Sequence, residues 1–107
     1  MKDKDIIIRH KNGTIKSRRQ YYHNGNILSE YYCNTYGNFH RLNKPAIIEW
    51  HINGFIMYLG YRVNGLMVNL NNPANISYKE NGKIESKDYC FRHIQPKIIW
   101  QNLIKNI

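Results

Sequence analysis

The stretch Ile-Glu-Trp-His-Ile-Asn-Gly-Phe-Ile at residues 48–56 decides the fold of this chain. Its apolar positions 48, 50 and 52 alternate with polar ones, which is the period of a β-strand with one apolar face. Asn53-Gly54 follows. Because Asn and Gly tolerate positive φ better than other residues, this pair between apolar segments is the strongest short-range signal of a β-hairpin. The stretch therefore predicts two antiparallel strands joined by a tight turn.

The hairpin signal recurs along the chain. Asn-Gly occurs five times, at residues 12–13, 24–25, 53–54, 64–65 and 81–82, and an Ile or Met follows each glycine by two residues. When residues 37–62 are aligned with 65–90, ten of the 26 positions are identical. A period of this length marks a repeat architecture, in which each unit packs against its neighbours.

The repeats define one domain, residues 1–107, with units at about 9–36 (partial), 37–64 and 65–92. The fold class that follows is mainly β, an antiparallel meander of repeated hairpins. In three hairpins an aromatic residue lies three positions before Asn and an Ile three positions after it. A three-residue loop with Gly in the left-handed region sets the two side chains opposite each other, which is a favourable pairing. We expect this ladder to be the buried core: Tyr21 with Ile27, Trp50 with Ile56, and Tyr78 with Ile84.

After Gln95 the period changes. Pro96 suits the first turn of a helix, and Ile99, Leu103 and Ile107 follow at helical spacing. The spacing predicts a C-terminal capping α-helix over about 96–106 that covers the open end or one face of the sheet.

The distribution of charge indicates where an anionic partner would bind, and the short apolar runs indicate where in the cell the protein is located. The formal net charge is +9, and residues 1–25 contribute +5 of it, from seven Lys or Arg and two Asp. The first third is therefore where an anionic partner would bind.

Met1–Asp5 is charged and Ile6–Ile8 is too short for a signal peptide, and no apolar run is long enough to span a membrane. We expect a cytoplasmic protein that is not secreted and has no membrane span.

The cysteines and acidic residues give no sign of a catalytic or metal centre. Cys33 and Cys90 occupy the same repeat position, which places them about four strands or ~19 Å apart, beyond the ~7 Å limit of a disulfide. We expect two free thiols. The chain has no CxxC or paired Cys/His spacing, no Gly-rich phosphate loop and no nucleophile–base pairing. We therefore expect no enzyme activity, no cofactor and no metal.

Basic and aromatic residues of the first third are candidates for anion or nucleic-acid binding. Such residues together suit phosphate contacts and base stacking. The other interpretation is a solvated edge region whose charge prevents aggregation, and we favour it. Strict alternation places Lys16 and Arg18 on one face and Arg19 on the other. The candidates are Arg9, Lys11, Lys16, Arg18, Arg19 and Tyr22.

The tyrosines are candidates for a protein interface. The chain has nine Tyr, two Trp and three Phe, more aromatic side chains than a thin sheet needs for its core. Exposed Tyr is typical of protein interfaces, although ordinary sheet packing explains it equally well. The candidates are Tyr31, Tyr36, Tyr58 and Tyr61.

The segment His-Arg-Leu-Asn-Lys-Pro-Ala at residues 40–46, followed by Trp50, Asn53-Gly54 and Ile56, resembles the MORN-repeat-like proteins of giant DNA viruses and phages. Their repeats read roughly His-Arg-x-Asp-Gly-Pro-Ala, then an aromatic strand, then Asn-Gly-x-Ile. Some related bacterial proteins are labelled MORN-variant antitoxins. The resemblance covers residues 21–92, and it is weaker at residues 68–84, which lack His-Arg. It implies a twisted antiparallel meander that serves as an interaction platform without catalysis.

The residues and the resemblance together favour a non-catalytic β-repeat module that binds another protein, viral or host, as a viral structural or adaptor component. One alternative is a nucleic-acid-binding or packaging protein that uses the basic first third. A second alternative is an antitoxin or counter-defence binder. Sheet edges also offer a route to oligomers.

Overall fold

The computed structural model describes residues 5–89, which contain nine strands and no helix. No segment of this range is therefore a helix that could span a membrane. The predicted helix at 96–106 lies outside the described residues. The strands are β1 (Asp5–Arg9), β2 (Ile15–Tyr21), β3 (Ile27–Tyr32), β4 (Ile47–Trp50), β5 (Ile56–Gly60), β6 (Arg62–Val63), β7 (Leu66–Met67), β8 (Asn75–Tyr78) and β9 (Ile84–Asp88).

Seven of these strands form one antiparallel sheet in the order β1-β2-β3-β4-β5-β8-β9. The predicted antiparallel meander is thereby confirmed. Two segments of equal length leave the sheet on the way from one hairpin to the next. We call residues 33–46, between β3 and β4, the first excursion, and residues 61–74, between β5 and β8, the second excursion. The second contains the separate hairpin β6–β7.

The tight turns share one geometry. In the turn of residues 51–55, the first residue donates its N–H to the fifth residue's carbonyl at 2.8 Å, and Gly54 donates to the first residue's carbonyl at 2.9 Å. Gly54 has φ +98°, which disfavours a side chain there. The same pair of bonds recurs in turns 10–14, 22–26, 34–38 and 79–83. Asn64-Gly65 differs, because both residues have positive φ and form a two-residue turn between β6 and β7.

The aromatic-to-Ile ladder pairs as the turn chemistry predicts. Trp50 is the register partner of Ile56, and Tyr21–Ile27 and Tyr78–Ile84 repeat the pairing. One extra residue follows in each returning strand, where the register shifts by a β-bulge. By the register numbers, these extra residues are Lys16, Leu28, Met57 and Glu85.

The prediction that this ladder is the buried core is wrong. Trp50 and Ile56 are only half-buried, and Ile84 is 48% exposed. The pairs flank the turns, at the end of the sheet, where few neighbours surround them. The fully buried apolar residues lie instead in the excursions: Ala46, Val63, Val68 and Ala74.

The two buried alanines explain the Pro-Ala of the repeat. Ala46 donates its N–H to Gly60 and accepts from Tyr32, each at 2.9 Å. Ala74 makes the equivalent bonds one repeat later, to Asp88 at 2.8 Å and from Tyr61 at 2.7 Å. Each alanine therefore closes an excursion and returns the chain to the sheet at a completely buried position, where a larger side chain would have to displace its neighbours.

Side chains of three tight turns, 10–14, 22–26 and 51–55, bind the backbone at the following turn on the same end of the sheet. We call such a hydrogen bond a rung. His51 Nε2 donates to Tyr78 O at 2.9 Å, and Asn53 Nδ2 donates to Glu80 O at 2.9 Å. Tyr22 makes the equivalent bond to Trp50 O at 2.6 Å. At the opposite end the rungs are His10 to Cys33 O (2.8 Å) and Asn12 to Thr35 O (2.9 Å).

Val63→Ala and Val68→Ala should each lower the free energy of unfolding by about 2 kcal/mol, because both side chains are completely buried. Leu66→Ala is the matched control. It lies in the same small hairpin but is 44% exposed, so its loss should be clearly smaller. Urea denaturation measures all three, and equal losses would show that the excursion is not the core.

Asn53→Asp tests the rungs. The Asp keeps the acceptor for Phe55 N–H but loses the donor to Glu80 O, so we expect a loss of about 1 kcal/mol of stability. Asn81→Asp is the matched control, since its side chain makes the same acceptor bond to Lys83 N–H and no further turn follows among the described residues. Equal denaturation midpoints for the two variants would contradict a stabilising rung.

Candidate functional site

Longer segments replace tight turns at one end of the sheet. There the turn 10–14 and the two excursions lie side by side, and we call this the excursion end. Arg41 N–H donates to Arg62 O at 3.0 Å, and Gly65 N–H donates to Phe39 O at 2.8 Å. These backbone bonds join the first excursion to the second and fix the side chains that both present.

An open apolar cavity of about 450 Å³ lies on one face of the excursion end. The ring of Phe39 packs edge-on against Tyr31, with 5.6 Å between centroids and 89° between planes, and Phe39 is still 40% exposed. No charged residue lines the cavity. Its lining residues are Thr14, Ile15, Tyr31, Cys33, Gly37 and Phe39.

Tyr36 stands at the tip of the turn beside this cavity and is 88% exposed. The other four tight turns have Asn at this position, where the side chain accepts the N–H two residues on. In turn 34–38 that role passes to Asn34, whose Oδ1 accepts from both Tyr36 and Asn38 at 3.0 Å. Tyr36 is therefore not needed to form the turn, and its ring is available to a partner.

A second cavity, of about 350 Å³, lies at the same end and has basic character. Arg41 lies over the Tyr32 ring, 3.9 Å from its centroid, and donates to Pro45 O at 3.3 Å. No acidic residue lines the cavity. The lining residues are His10, Lys16, Tyr32, Cys33, Asn34, Thr35, His40 and Arg41.

His40 is held as the neutral form. Its Nδ1 accepts the backbone N–H of Asn64 at 3.0 Å, which leaves the proton on Nε2. Burial lowers the pKa of His40 below 6.5, because the protonated ring would lose solvent. At neutral pH this residue thus contributes a hydrogen-bond donor to the cavity rather than a charge.

Cys33 lines both cavities and is a free thiol. Burial raises the pKa of this thiol, which disfavours the thiolate, and we assign it a packing role rather than a nucleophilic one. Cys90 lies outside the described residues, so the predicted distance between the two cysteines stays a prediction.

Arg18 and Arg19 of the predicted basic candidates point to opposite faces, and each is paired with a carboxylate. Arg18 donates to Asp5 Oδ1 and Oδ2 at 2.9 and 2.6 Å, and this contact holds the pKa of Asp5 below its ordinary value. Arg19 pairs with Glu30 on the next strand.

The remaining basic candidates are spread over the sheet. Arg9 donates to Gly13 O within its own hairpin, and Tyr22 lies at the end opposite the excursions. The prediction that Lys16 and Arg18 share a face is wrong, because the β-bulge at Lys16 breaks the alternation and Lys16 lines the basic cavity with Tyr32, on the face opposite Arg18. Lys11 is exposed in turn 10–14. The candidates therefore do not form one surface.

The tyrosine candidates divide into two pairs. Tyr31 and Tyr36 belong to the apolar cavity and its rim. Tyr58 donates its hydroxyl to Asn75 Oδ1 at 2.7 Å and accepts from Arg62 at 3.2 Å, and Tyr61 accepts from Arg62 and Val68 through its carbonyl. Tyr58 thus supports the second excursion through its hydroxyl and Tyr61 through its backbone carbonyl, and both residues are half-buried.

Sequence reasoning did not single out Phe39, His40 or Arg41 as site residues. A signal existed, because His40 and Arg41 open the His-Arg motif, Phe39 directly precedes it, and the segment that follows is rich in turn residues. Their joint position next to Tyr31 and Tyr32 depends on the excursion folding back, which composition and spacing do not specify.

Among residues 5–89 no three His, Cys, Asp or Glu side chains form a group that could hold a metal ion. Comparison with protein-family models, with curated proteins and with solved structures returned no match.

The neutral His40 makes stability depend on pH. Because its pKa is lowered in the folded state, its contribution is present above pH 6.5 and is lost as the pH falls through the folded-state pKa. His40→Asn, whose Oδ1 replaces the acceptor for Asn64 N–H, should reduce the loss of denaturation midpoint between pH 7.5 and 5. His10→Asn is the control for the same cavity, and it should retain the loss. An unchanged profile in His40→Asn would contradict this assignment.

Proposed function

We propose that this protein is a non-catalytic β-repeat module that binds another protein through the apolar cavity at its excursion end. The observation that carries the proposal is the exposed aromatic group at that cavity: Phe39, packed on Tyr31, and Tyr36 at its rim. Aromatic side chains in and around a concave apolar surface are the usual anchors of protein interfaces. Ordered backbone bonds between the excursions hold the surface before a partner arrives, which reduces the entropy lost on binding.

Charge suggests the chemistry of the partner. The chain carries +9, and the basic cavity lies at the same end as the apolar one but on the opposite face of the sheet, because Tyr31 and Tyr32 are successive residues of β3. A fitting partner segment inserts an aromatic or branched aliphatic side chain at Phe39 and carries a net negative charge, which the overall positive charge of the chain attracts. Electrostatic attraction of this kind raises the association rate more than the final affinity.

The biological setting rests on the repeat motif. Residues 40–56 resemble MORN-like repeats of giant DNA viruses and phages, and this resemblance supports a structural or adaptor component in a virion or in the host cytoplasm. An antitoxin or counter-defence role would use the same surface. It would differ from the adaptor role only in which partner protein is bound.

Nucleic-acid binding is the second candidate, and the basic cavity is the observation that favours it. Lys16 and Arg41 line it without an acidic neighbour. Against it, Arg18 and Arg19 are paired with carboxylates on opposite faces. A cavity lined by one Lys and one Arg binds phosphate weakly and loses affinity steeply with salt.

A random peptide library displayed on phage tests the main proposal. Selection on the full chain should enrich peptides with an aromatic or aliphatic anchor and a net negative charge. Phe39→Ser and Tyr36→Ser should each weaken binding of the selected peptides at least about tenfold, since an anchor residue contributes about 2 kcal/mol or more and ~1.4 kcal/mol is tenfold. Phe55→Ser is the matched control, because Phe55 is an exposed aromatic in a turn at the other end of the sheet, and it should bind normally.

The same variants separate the candidates. Binding of a labelled single-stranded oligonucleotide should be weak at about 0.15 M salt and should fall further in Lys16→Ser and Arg41→Ser. Tight oligonucleotide binding at that salt, lost in Lys16→Ser and Arg41→Ser but kept in Phe39→Ser, would replace the protein-binding proposal with the nucleic-acid one. Peptides unaffected by Phe39→Ser and Tyr36→Ser would refute the cavity as the binding surface.

A further inference from the structure

The first strand leaves one edge of the sheet open among the described residues. β1 reads Asp-Ile-Ile-Ile-Arg, pairs with β2 on one side, and has no described strand on the other. Ile6, Ile7 and Ile8 are 46%, 38% and 53% exposed. The strand contains no proline, and the extra residue of its bulge belongs to β2, so β1 itself is continuous. An open, continuous, apolar edge is a template for another strand.

The hydrogen-bonding groups on that edge can be assigned. His10 donates its N–H to Thr14 O across the β1–β2 turn. Backbone groups of successive residues in a strand point to alternate sides, so Ile8 and Ile6 also bond toward β2. The N–H and C=O groups of Asp5, Ile7 and Arg9 therefore point outward, where a further strand would pair with them.

The sequence of β1 is complementary to itself in one antiparallel register. Centred on Ile7, this register sets Asp5 opposite Arg9 of the second copy, and Ile6 opposite Ile8 of the second copy. Both Asp–Arg pairs and the central Ile pair then fall on the outward-pointing residues. Opposite charges directly across a strand pair are favourable and like charges are not, so the charges select this register over a slipped one.

The side chains are already placed for this pairing. Asp5 lies on the same face as Arg18, which holds its carboxylate through two hydrogen bonds. Arg9 uses one guanidinium nitrogen on Gly13 O, so its other nitrogens can reach a second carboxylate.

The opposite edge does not offer the same fit. The sheet has seven strands, so β1 and β9 run in the same direction. Adding copies head to tail with the same face up would therefore require a parallel pair in an otherwise antiparallel sheet. β9 also carries the extra bulge residue Glu85, and self-pairing about Ser86 would set Ile84 against Asp88.

We infer that two copies of this chain associate through β1, around a two-fold axis that is perpendicular to the sheet and passes midway between the two Ile7 residues. The result is one continuous antiparallel sheet of twice seven strands. The interface is isologous and closed, so it yields a dimer and not a filament.

Light scattering coupled to size exclusion tests the dimer with the full chain. The wild type should approach twice 12.8 kDa as its concentration rises to about 1 mM, and Ile7→Lys should remain at 12.8 kDa, because two lysines would meet at the axis. Ser86→Lys on β9 is the matched control and should still dimerise. A monomeric wild type at every concentration, or a dimer that survives Ile7→Lys, would overturn the inference.

Reversing the charge at either end of β1 tests the register, and this experiment does not depend on whether Ile7→Lys folds. In Arg9→Asp both ends of β1 are acidic, and in Asp5→Arg both are basic, so each variant alone should be monomeric. An equimolar mixture restores both Asp–Arg pairs and should form the heterodimer, detectable by native mass spectrometry. Circular dichroism confirms folding of each variant. Folded variants that dimerise alone, or fail to combine when mixed, would contradict the proposed register.

Discussion

The structure depends on the rungs, the hydrogen bonds by which one turn binds the backbone of the next. His10, Tyr22 and His51 each reach the carbonyl of the residue just before the following turn on their end of the sheet. Each bond contributes on the order of 1 kcal/mol, so a single rung is a small effect. Their effect comes from repetition, because turns 10–14, 22–26 and 51–55 are each fixed to the following turn by the same kind of bond. Because few apolar side chains of the described residues are buried, hydrophobic burial alone stabilises the sheet only weakly, and the rungs add to its stability.

The two excursions are longer than the tight turns, and their length creates the buried core and the cavities. On the end with turns 22–26, 51–55 and 79–83, the rungs stack directly and leave little space between them. On the other end the first and second excursions fold back, bury Val63 and Val68, and bond to each other through Arg41 and Gly65. The folded-back chain is wider than a turn, so it encloses cavities and brings Tyr31 next to Phe39. The site is thus a consequence of adding residues to a repeat, on a frame that the repeat keeps rigid.

The turns and the strand register next to them could be predicted from the sequence, whereas burial and the contacts between distant segments could not. Asn-Gly set the turns, and the resulting bulge set Trp50 opposite Ile56, because turn geometry and register are determined by a few neighbouring residues. The burial of Ala46 and Val63 in place of Trp50 was not predictable, because burial depends on how the excursions fold back over the sheet. The same holds for the site. Alternation correctly separated Arg18 from Arg19, but their carboxylate partners, Asp5 and Glu30, lie on neighbouring strands, and the strand register had to be known before those contacts could be assigned.

The two proposed surfaces reinforce each other. Ile7, Arg18 and Tyr31 are successive register partners across β1, β2 and β3, so the apolar cavity lies on the face of the sheet that carries Ile7. A two-fold axis perpendicular to the sheet keeps faces on the same side and reverses strand direction. The dimer would therefore present two apolar cavities on one face, at opposite ends of a continuous sheet. Two equal sites on a rigid plate bind a repeated partner far more tightly than one site does, because the second contact forms within the same complex. A modest cavity becomes an effective binding surface if the partner is itself an ordered array, as the components of an assembled particle are.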